Sequence, residues 1–369
     1  MRIEGQRKGS LFQLDDYSVV HRPTSTPPDL EARRRVPIGQ ALRARHQLRA
    51  TLHHFFRDRG FLEVSTPALC QSPGTDPHIE PISANFMESH GDAQHHRAYL
   101  HTSPELAMKR LLSAGSGPIY QLAPVWRNGE VTTTHNPEFS MLEWYRPWEP
   151  LDSIIEDIQD LVTLVLDEQS ARPLSPPFPV VTMAEAVEAS CGFDLSEALD
   201  TPSLQAAIRR HGLLSERAIK AAPWDELFYS LTISHIDPWI SDQGPLFITR
   251  WPIQLAVLAR PCPDDPRFAQ RVELYVDGIE LANGFHELTD PDEQRHRFHQ
   301  DNQYRKRHDL PQLPIPSAFL HALGYGMPPS SGIALGLDRL LLLATPNAET
   351  LRDVAPFSWR RTDQGIQWP

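Results

Sequence analysis

The residues best suited to chemistry sit in one stretch, 126–146, which reads WRNGEVTTTHNPEFSMLEWYR. An apolar run, 119–126, enters it, polar turn formers follow, and a second apolar run, 139–145, leaves it. That is the pattern of two antiparallel strands joined by a loop. Arg127 closes the first strand, and His135 and Asn136 open the second. The loop could therefore hold a guanidinium, an imidazole and an amide around one anion. Alternation puts Phe139, Met141 and Glu143 on one face of the exit strand and Leu142 and Trp144 on the other. A buried strand carrying Glu143 requires a partner for it. A second cation comes from far downstream. Residues 332–335 read as a short strand, Gly336 turns the chain, and Arg339 lies in the first turn of a helix over 337–343. A guanidinium is a planar fork that matches phosphate. No activated Cys–His pair or nucleophile elbow is legible.

The elements that must position these groups follow from periodicity. Residues 38–59 carry Leu42, Leu48, Leu52, Phe55 and Phe56 at helical spacing, with Gly60 as the C-cap and a strand over 61–64. Thr102, Ser103, Pro104 and Glu105 open a helix that runs to Leu112, with Thr102 as N-cap and Glu105 at the third position of a capping box. Residues 150–225 read as a mainly helical insertion covering the back of the sheet, with a Pro-rich linker at 173–179. Strands are expected at 246–251 and, as a hairpin around Asp277-Gly278, over 271–283. The turn allows Glu273 and Glu280 to share a face, as a ligand pair or as plain surface carboxylates. Residues 291–309 read as a polar helix with a solvated face, and His90, His95, His96 and His101 as a solvated loop. Residues 1–35 form a polar extension, too short for a core of its own, ahead of one large domain over 36–369.

Composition bounds the function. The net charge of −12 argues against broad nucleic-acid binding, which needs Lys and Arg for phosphates, and suits a partner that presents a basic loop. Only four of the 35 basic residues are Lys. Cys70, Cys191 and Cys262 are odd in number and far apart, which fits reduced thiols. No window approaches ~20 apolar residues and the start has no apolar signal region, so a cytoplasmic protein without membrane contact is expected.

The Arg127–loop–HNPEF–x–MLEWYR arrangement resembles motif 2 of class II aminoacyl-tRNA synthetases, in the form used by lysyl-tRNA synthetase. Residues 59–67 (RGFLEVSTP) resemble motif 1, residues 332–339 (GIALGLDR) motif 3, and residues 280–287 (ELANGFHE) the strand lining the lysine pocket. The chain is most similar to the freestanding branch of that family, the elongation factor P–lysine ligases. The resemblance implies an α+β fold, an antiparallel sheet flanked by helices, and a homodimer formed through the first helix and strand. It also implies an activity: ATP and (R)-β-lysine form an adenylate, and the acyl group passes to a lysine side chain of elongation factor P.

The same resemblance implies residue roles. Arg127 and Arg339 would act on the α-phosphate and γ-phosphate ends. Asn128, Gly129, His135, Asn136, Glu280, Leu281 and Gly336 would complete the ATP site, with Phe139 stacked on adenine. Glu273 and Glu280 would hold Mg²⁺, a hard cation that takes oxygen ligands. Ser103, Pro104, Glu105, Tyr145, Glu287 and Ala334 would form the amino-acid pocket, the acids facing the ammonium groups. Two positions depart from the lysyl-tRNA synthetase pattern. Gly129 replaces a carboxylate expected at the adenine edge, with Glu130 next to it. Ala334 replaces a glycine, and with Ser103 it reshapes the slot toward a β-amino group. The short N-terminal extension leaves no room for an anticodon-reading module, so stable tRNA binding is not expected. A minimal lysyl-tRNA synthetase and a noncatalytic paralogue that regulates a partner are the competing readings.

Overall fold

A computed structural model describes residues 34–89, 95–167, 174–220, 222–362 and 365–367; nearly all of the N-terminal extension, His90 and the start of the Pro-rich linker lie outside these. The eight strands of the main sheet are β1 (Leu62–Glu63), β2 (Ile119–Trp126), β3 (Glu138–Pro147), β4 (Val180–Thr182), β5 (Leu246–Pro252), β6 (Phe268–Val276), β7 (Ile279–His286) and β8 (Ser330–Gly336). Their spatial order is β1-β2-β3-β8-β7-β6-β5-β4. The interior pairs are antiparallel, whereas the two edge pairs, β1 with β2 and β4 with β5, run parallel.

Register separates the two faces. Leu142 pairs with Leu335, Leu335 with Ala282, Ala282 with Leu274 and Leu274 with Phe247. This apolar row, with Trp144, Ile333 and Val272, forms one side of the main core. Helices α1 (Ile38–Asp58) and α3 (Leu151–Asp167) close that core through Leu52, Phe56, Ile158 and Leu161. The neighbouring row runs Gln121, Glu143, Ala334, Asn283, Glu273. Its polar character marks the opposite face as the working surface. The sheet is therefore apolar on the side that needs helices and polar on the side that meets a ligand.

Several expectations change in detail. Helix α1 ends at Asp58, and Gly60 follows at φ 78°, the left-handed geometry glycine adopts past a helix end. The insertion is mainly helical, but its strand β4 joins the sheet edge. Its helices beyond α3 do not cover the back of the sheet. They build a second apolar cluster with β5 around Met183, Leu204, Phe228, Ile248 and Trp251. Among the histidines, His96 begins a strand and His101 is buried with Nε2 2.8 Å from the Pro124 carbonyl, so this is not a solvated loop.

Helix α4 (Pro291–Arg307) overturns the solvated-face expectation. Gln294, Arg297, Phe298, Asp301, Asn302 and Arg305 are buried along it. Arg297 donates to the carbonyls of Ala256 and Ala259, and Asp301 accepts from Thr75. Arg305 donates to the Asp76 carbonyl at 3.2 Å and to the Glu80 carboxylate at 2.6 Å. Charge alone does not place a helix face in solvent when loop carbonyls and carboxylates can satisfy its donors.

Candidate active site

The strand pair β2–β3 is the hairpin expected from its sequence, and Arg127 leaves its first strand with its backbone N–H bonded to the Pro137 carbonyl at 2.9 Å. Strand β8 lies beside β3, and its last residue, Gly336, is the N-cap of α5 (Leu337–Ala344), which carries Arg339. Arg127 and Arg339 thus line one cavity of about 300 Å³ on the polar face. His135, Asn136, Phe139, Glu280, Leu281, Ala334 and Gly336 line it as well.

The two cations are held differently. The Arg127 guanidinium lies 5.3 Å from the centre of the Phe139 ring, and its buried Nε has no hydrogen-bond partner among the described residues. A buried unmatched donor beside open space is what an incoming anion would satisfy. Arg339 donates to the Glu280 carbonyl at 2.7 Å and lies 2.5 Å from His135 Nε2. Burial and the adjacent Arg339 guanidinium lower the His135 pKa, which keeps the ring neutral with Nε2 as acceptor. Its Nδ1 lies 2.8 Å from the Thr132 hydroxyl. Asp338 ties the motifs together: it accepts from the Ser140 backbone at 2.8 Å and from Arg45 on α1.

Asn128 and Gly129 are placed beside the cavity, not in its lining. The Asn128 N–H bonds the Glu80 carbonyl at 2.7 Å. Gly129 has φ 83°, a conformation in which a glutamate would be strained. The turn instead presents Glu130 to the cavity, where burial raises its pKa against the pull of Arg127 and Arg339.

The hairpin β6–β7 turns at Asp277 (φ 50°) and Gly278 (φ 75°). Glu280 pairs with Tyr275 and so shares a face with Glu273. A bulge then sets Asn283 opposite Glu273. Glu280 opens onto the cavity; Glu273 lies buried beneath, accepting from Arg271, from Tyr275 at 2.6 Å and from Asn283 at 2.9 Å. Burial pushes the Glu273 pKa up to about 7, with Arg271 opposing and Glu280 reinforcing the shift. Both Glu273 oxygens are taken up by these donors, so Glu280, on the cavity wall, is the one of the pair placed to give an oxygen ligand to a divalent cation.

The acids of the expected amino-acid pocket converge farther along the same face. Helix α2 (Glu105–Ser113) begins there, but the capping box is absent. Thr102 instead donates to the Pro73 carbonyl, and the Ser103 hydroxyl accepts the Glu105 N–H at 3.0 Å while donating to Glu143 at 2.7 Å. The N-cap position falls on Pro104, which cannot cap with a side chain. That frees the Glu105 carboxylate to turn inward, where it pairs with Lys109 at 2.5 Å. Lys109 also pairs with Glu287 at 2.5 Å. Tyr145 donates its hydroxyl to Glu143. Gly332, opposite Tyr145 in register, leaves the space: a Cβ there would stand 2.8 Å from Glu287 Oε1.

Burial raises Glu143 to about 7 and Glu287 to about 8, with Glu105 adding to both shifts and Lys109 opposing them. Burial works against the charge of Lys109, yet Glu105 and Glu287 outweigh it and raise its pKa. Glu287 Oε1 is buried with no hydrogen-bond partner among the described residues. A cluster of three carboxylates and one ammonium is short of positive charge, which an ammonium-bearing ligand would supply. His286 is a packed neighbour, its Nδ1 2.8 Å from Ser331 and its pKa lowered to about 4 by burial and by Arg260.

Four contributors went unassigned in the sequence. Lys109 looked like an ordinary helix residue. Glu143 was flagged by an acid on a buried strand but given no role. Asp76 and Arg271 reach the cavity through the long-range packing of α4 and β6, for which no local signal exists.

A family model for class II tRNA synthetases (D, K and N) matches residues 29–361. The chain is 44% identical over 322 residues to the elongation factor P–(R)-β-lysine ligase of Edwardsiella ictaluri, covering 87% of this chain and 95% of that protein. The enzymes of the same name from Pectobacterium carotovorum and Haemophilus influenzae are 44% and 41% identical, each covering 85% of this chain and 93% of theirs. The convergence of two motif arginines on one sheet face, the acid cluster beside them and these matches lead to one statement: the chain belongs to the class II tRNA synthetase family of the D, K and N type.

Proposed function

We propose that this protein is a ligase that activates (R)-β-lysine with ATP and transfers the β-lysyl group to a lysine side chain of translation elongation factor P. The observation that carries this reading is the shared face: Arg127 and Arg339 line one cavity, and Glu105, Glu143 and Glu287 cluster at its side. The substrate carboxylate attacks the α-phosphorus of ATP, and pyrophosphate leaves. The acceptor amine then attacks the acyl carbon of the adenylate, and AMP leaves. Arg127 binds the α-phosphate and stabilises charge that grows on it, Arg339 binds the terminal phosphates, and Phe139 supports the adenine. Glu280, with Glu273 behind it, would hold Mg²⁺, which offsets phosphate charge when bound. Glu287 and Glu105 receive the substrate ammonium groups, and Ala334 shapes the slot between them and the nucleotide.

The protein is proposed to act as a homodimer in the cytoplasm. The exposed Leu42 on α1 and Leu62 on edge strand β1 support the dimer, and no described helix is long and apolar enough to cross a membrane. The test is ATP–pyrophosphate exchange with (R)-β-lysine, with α-lysine and with no amino acid, followed by transfer to elongation factor P read by mass. Exchange is expected with (R)-β-lysine well above α-lysine, and a β-lysyl mass addition on the factor. Absence of exchange with any amino acid, or α-lysine exchange coupled to tRNA charging, would overturn the reading.

A further inference from the structure

Lys109 is fully buried, yet its ammonium lies 2.5 Å from both Glu105 Oε1 and Glu287 Oε2. Glu143 completes the group, held by Ser103 at 2.7 Å and by the Tyr145 hydroxyl. The rest of the wall behind Lys109 is apolar: Met108, Phe298 and Phe319, with the Phe319 ring centre 6.0 Å from Nζ. Of the group, Glu105 is partly exposed, Glu287 Oε1 is buried with no hydrogen-bond partner among the described residues, and Lys109 lies behind both acids.

A purely structural role would not need this arrangement, because apolar residues of similar size usually replace a buried ion pair without loss. The choice of cation is also informative. The chain uses Arg for nearly every basic position, with only four Lys among 35, yet keeps Lys here. A compact ammonium with three donors fits between converging carboxylates where a planar fork does not.

We propose that Lys109 is the positioning residue of the amino-acid pocket: it bridges Glu105 and Glu287, fixes their spacing, and cancels one of three acid charges so that two remain for a substrate with two ammonium groups. This rests on the reading of the site as one for a diamino acid. It makes Lys109 a specificity element that never touches the substrate. The groups facing Glu287 are Lys109 and Glu105 on α2 and Glu143 and Tyr145 on β3, so removing Lys109 leaves Glu287 among acids alone.

The test compares wild type, Lys109→Met and Lys109→Arg in pyrophosphate exchange with (R)-β-lysine, with KM for both substrates and the pH profile of kcat/KM. For Lys109→Met, KM for (R)-β-lysine should rise about tenfold or more while KM for ATP stays put. The acid limb should move up by about one pH unit, since the nearest cation to Glu287 is gone. Lys109→Arg keeps the charge and should leave the limb in place while still raising KM for (R)-β-lysine. If Lys109→Met does not fold, Lys109→Arg decides alone: an unchanged KM, or a limb displaced by a full unit, defeats the proposal. A folded Lys109→Met with wild-type KM and limb also defeats it. Wild type inactive with every diamino acid would instead remove the functional reading beneath it.

Discussion

Ala334 stands opposite Glu143 on one side and Asn283 on the other, so its methyl sits in the middle of the polar row and in the cavity lining. Removing it opens room next to the carboxylate cluster. Ala334→Gly is expected to improve exchange with α-lysine relative to (R)-β-lysine by roughly tenfold, the scale of about 1–3 kcal/mol that one methyl contributes in a pocket; unchanged relative kcat/KM values would separate Ala334 from selectivity. Protons report on the same pocket. Glu143 and Glu287 are raised to about 7 and about 8 in the empty protein, mainly by burial. Bound ammonium groups favour the ionised acids, so binding must expel protons below those values and none above them. Titration calorimetry in buffers of different ionisation enthalpy should show proton release near pH 7 that fades above about 8, with KM falling across that window. The sign for stability is the reverse: the unfolded chain loses these protons first, so the empty protein weakens as pH rises through the window. At this scale Arg127 and Arg339 were singled out in the sequence by type and placement, and Glu105 and Glu287 by the family resemblance. Lys109 was illegible because its second partner, Glu287, comes from a distant segment, and nothing in a nine-residue helix says that an ammonium will be shut inside.

Helix α4 teaches the same lesson for elements. Its sequence has almost no apolar stripe, and read alone it belongs in water. In the structure it is a clamp, because Arg305 reaches the Asp76 and Glu80 segment, whose backbone in turn holds the Asn128 N–H. Arg305→Met strands those acceptors and is expected to cost about 3–5 kcal/mol. Urea unfolding measures that loss, and KM for ATP should rise with it, since Asp76 and Ile79 belong to the cavity wall. A stability change without an ATP effect would limit the clamp to folding. Strand-level expectations survived better: the β2–β3 hairpin, the Asp277-Gly278 turn and the β8–α5 join follow from alternation and turn chemistry, which are local. At the start of α2 the Ser103 hydroxyl accepts the Glu105 N–H, whereas the Thr102 hydroxyl is turned to the Pro73 carbonyl.

The whole molecule carries a net charge of −12, which suits docking of a partner that presents a basic loop. Long-range attraction of that kind speeds encounter and is screened by salt over about 10 Å at 0.1 M. Transfer to elongation factor P should therefore slow several-fold as salt is raised from about 0.05 M to about 0.5 M, with pyrophosphate exchange changing much less. Equal salt dependence of both steps would place the effect in adenylation, not in docking. The overall architecture was readable from four motifs in order, but not the parallel edge pairs or the second apolar cluster; β4 and that cluster depend on where the insertion meets the sheet.

Strand β8 is the last to be synthesised of the eight and lies at the centre of the sheet, between β3 and β7. While a ribosome is still making residues before it, the emerging chain can hold only two half-sheets, each with a bare hydrogen-bonding rim. Such rims invite pairing with other strands, and closing them requires a contact across most of the chain length. Production of this protein is thus most exposed to aggregation until β8 has emerged, and the seam that heals the sheet is the same one that completes the nucleotide site.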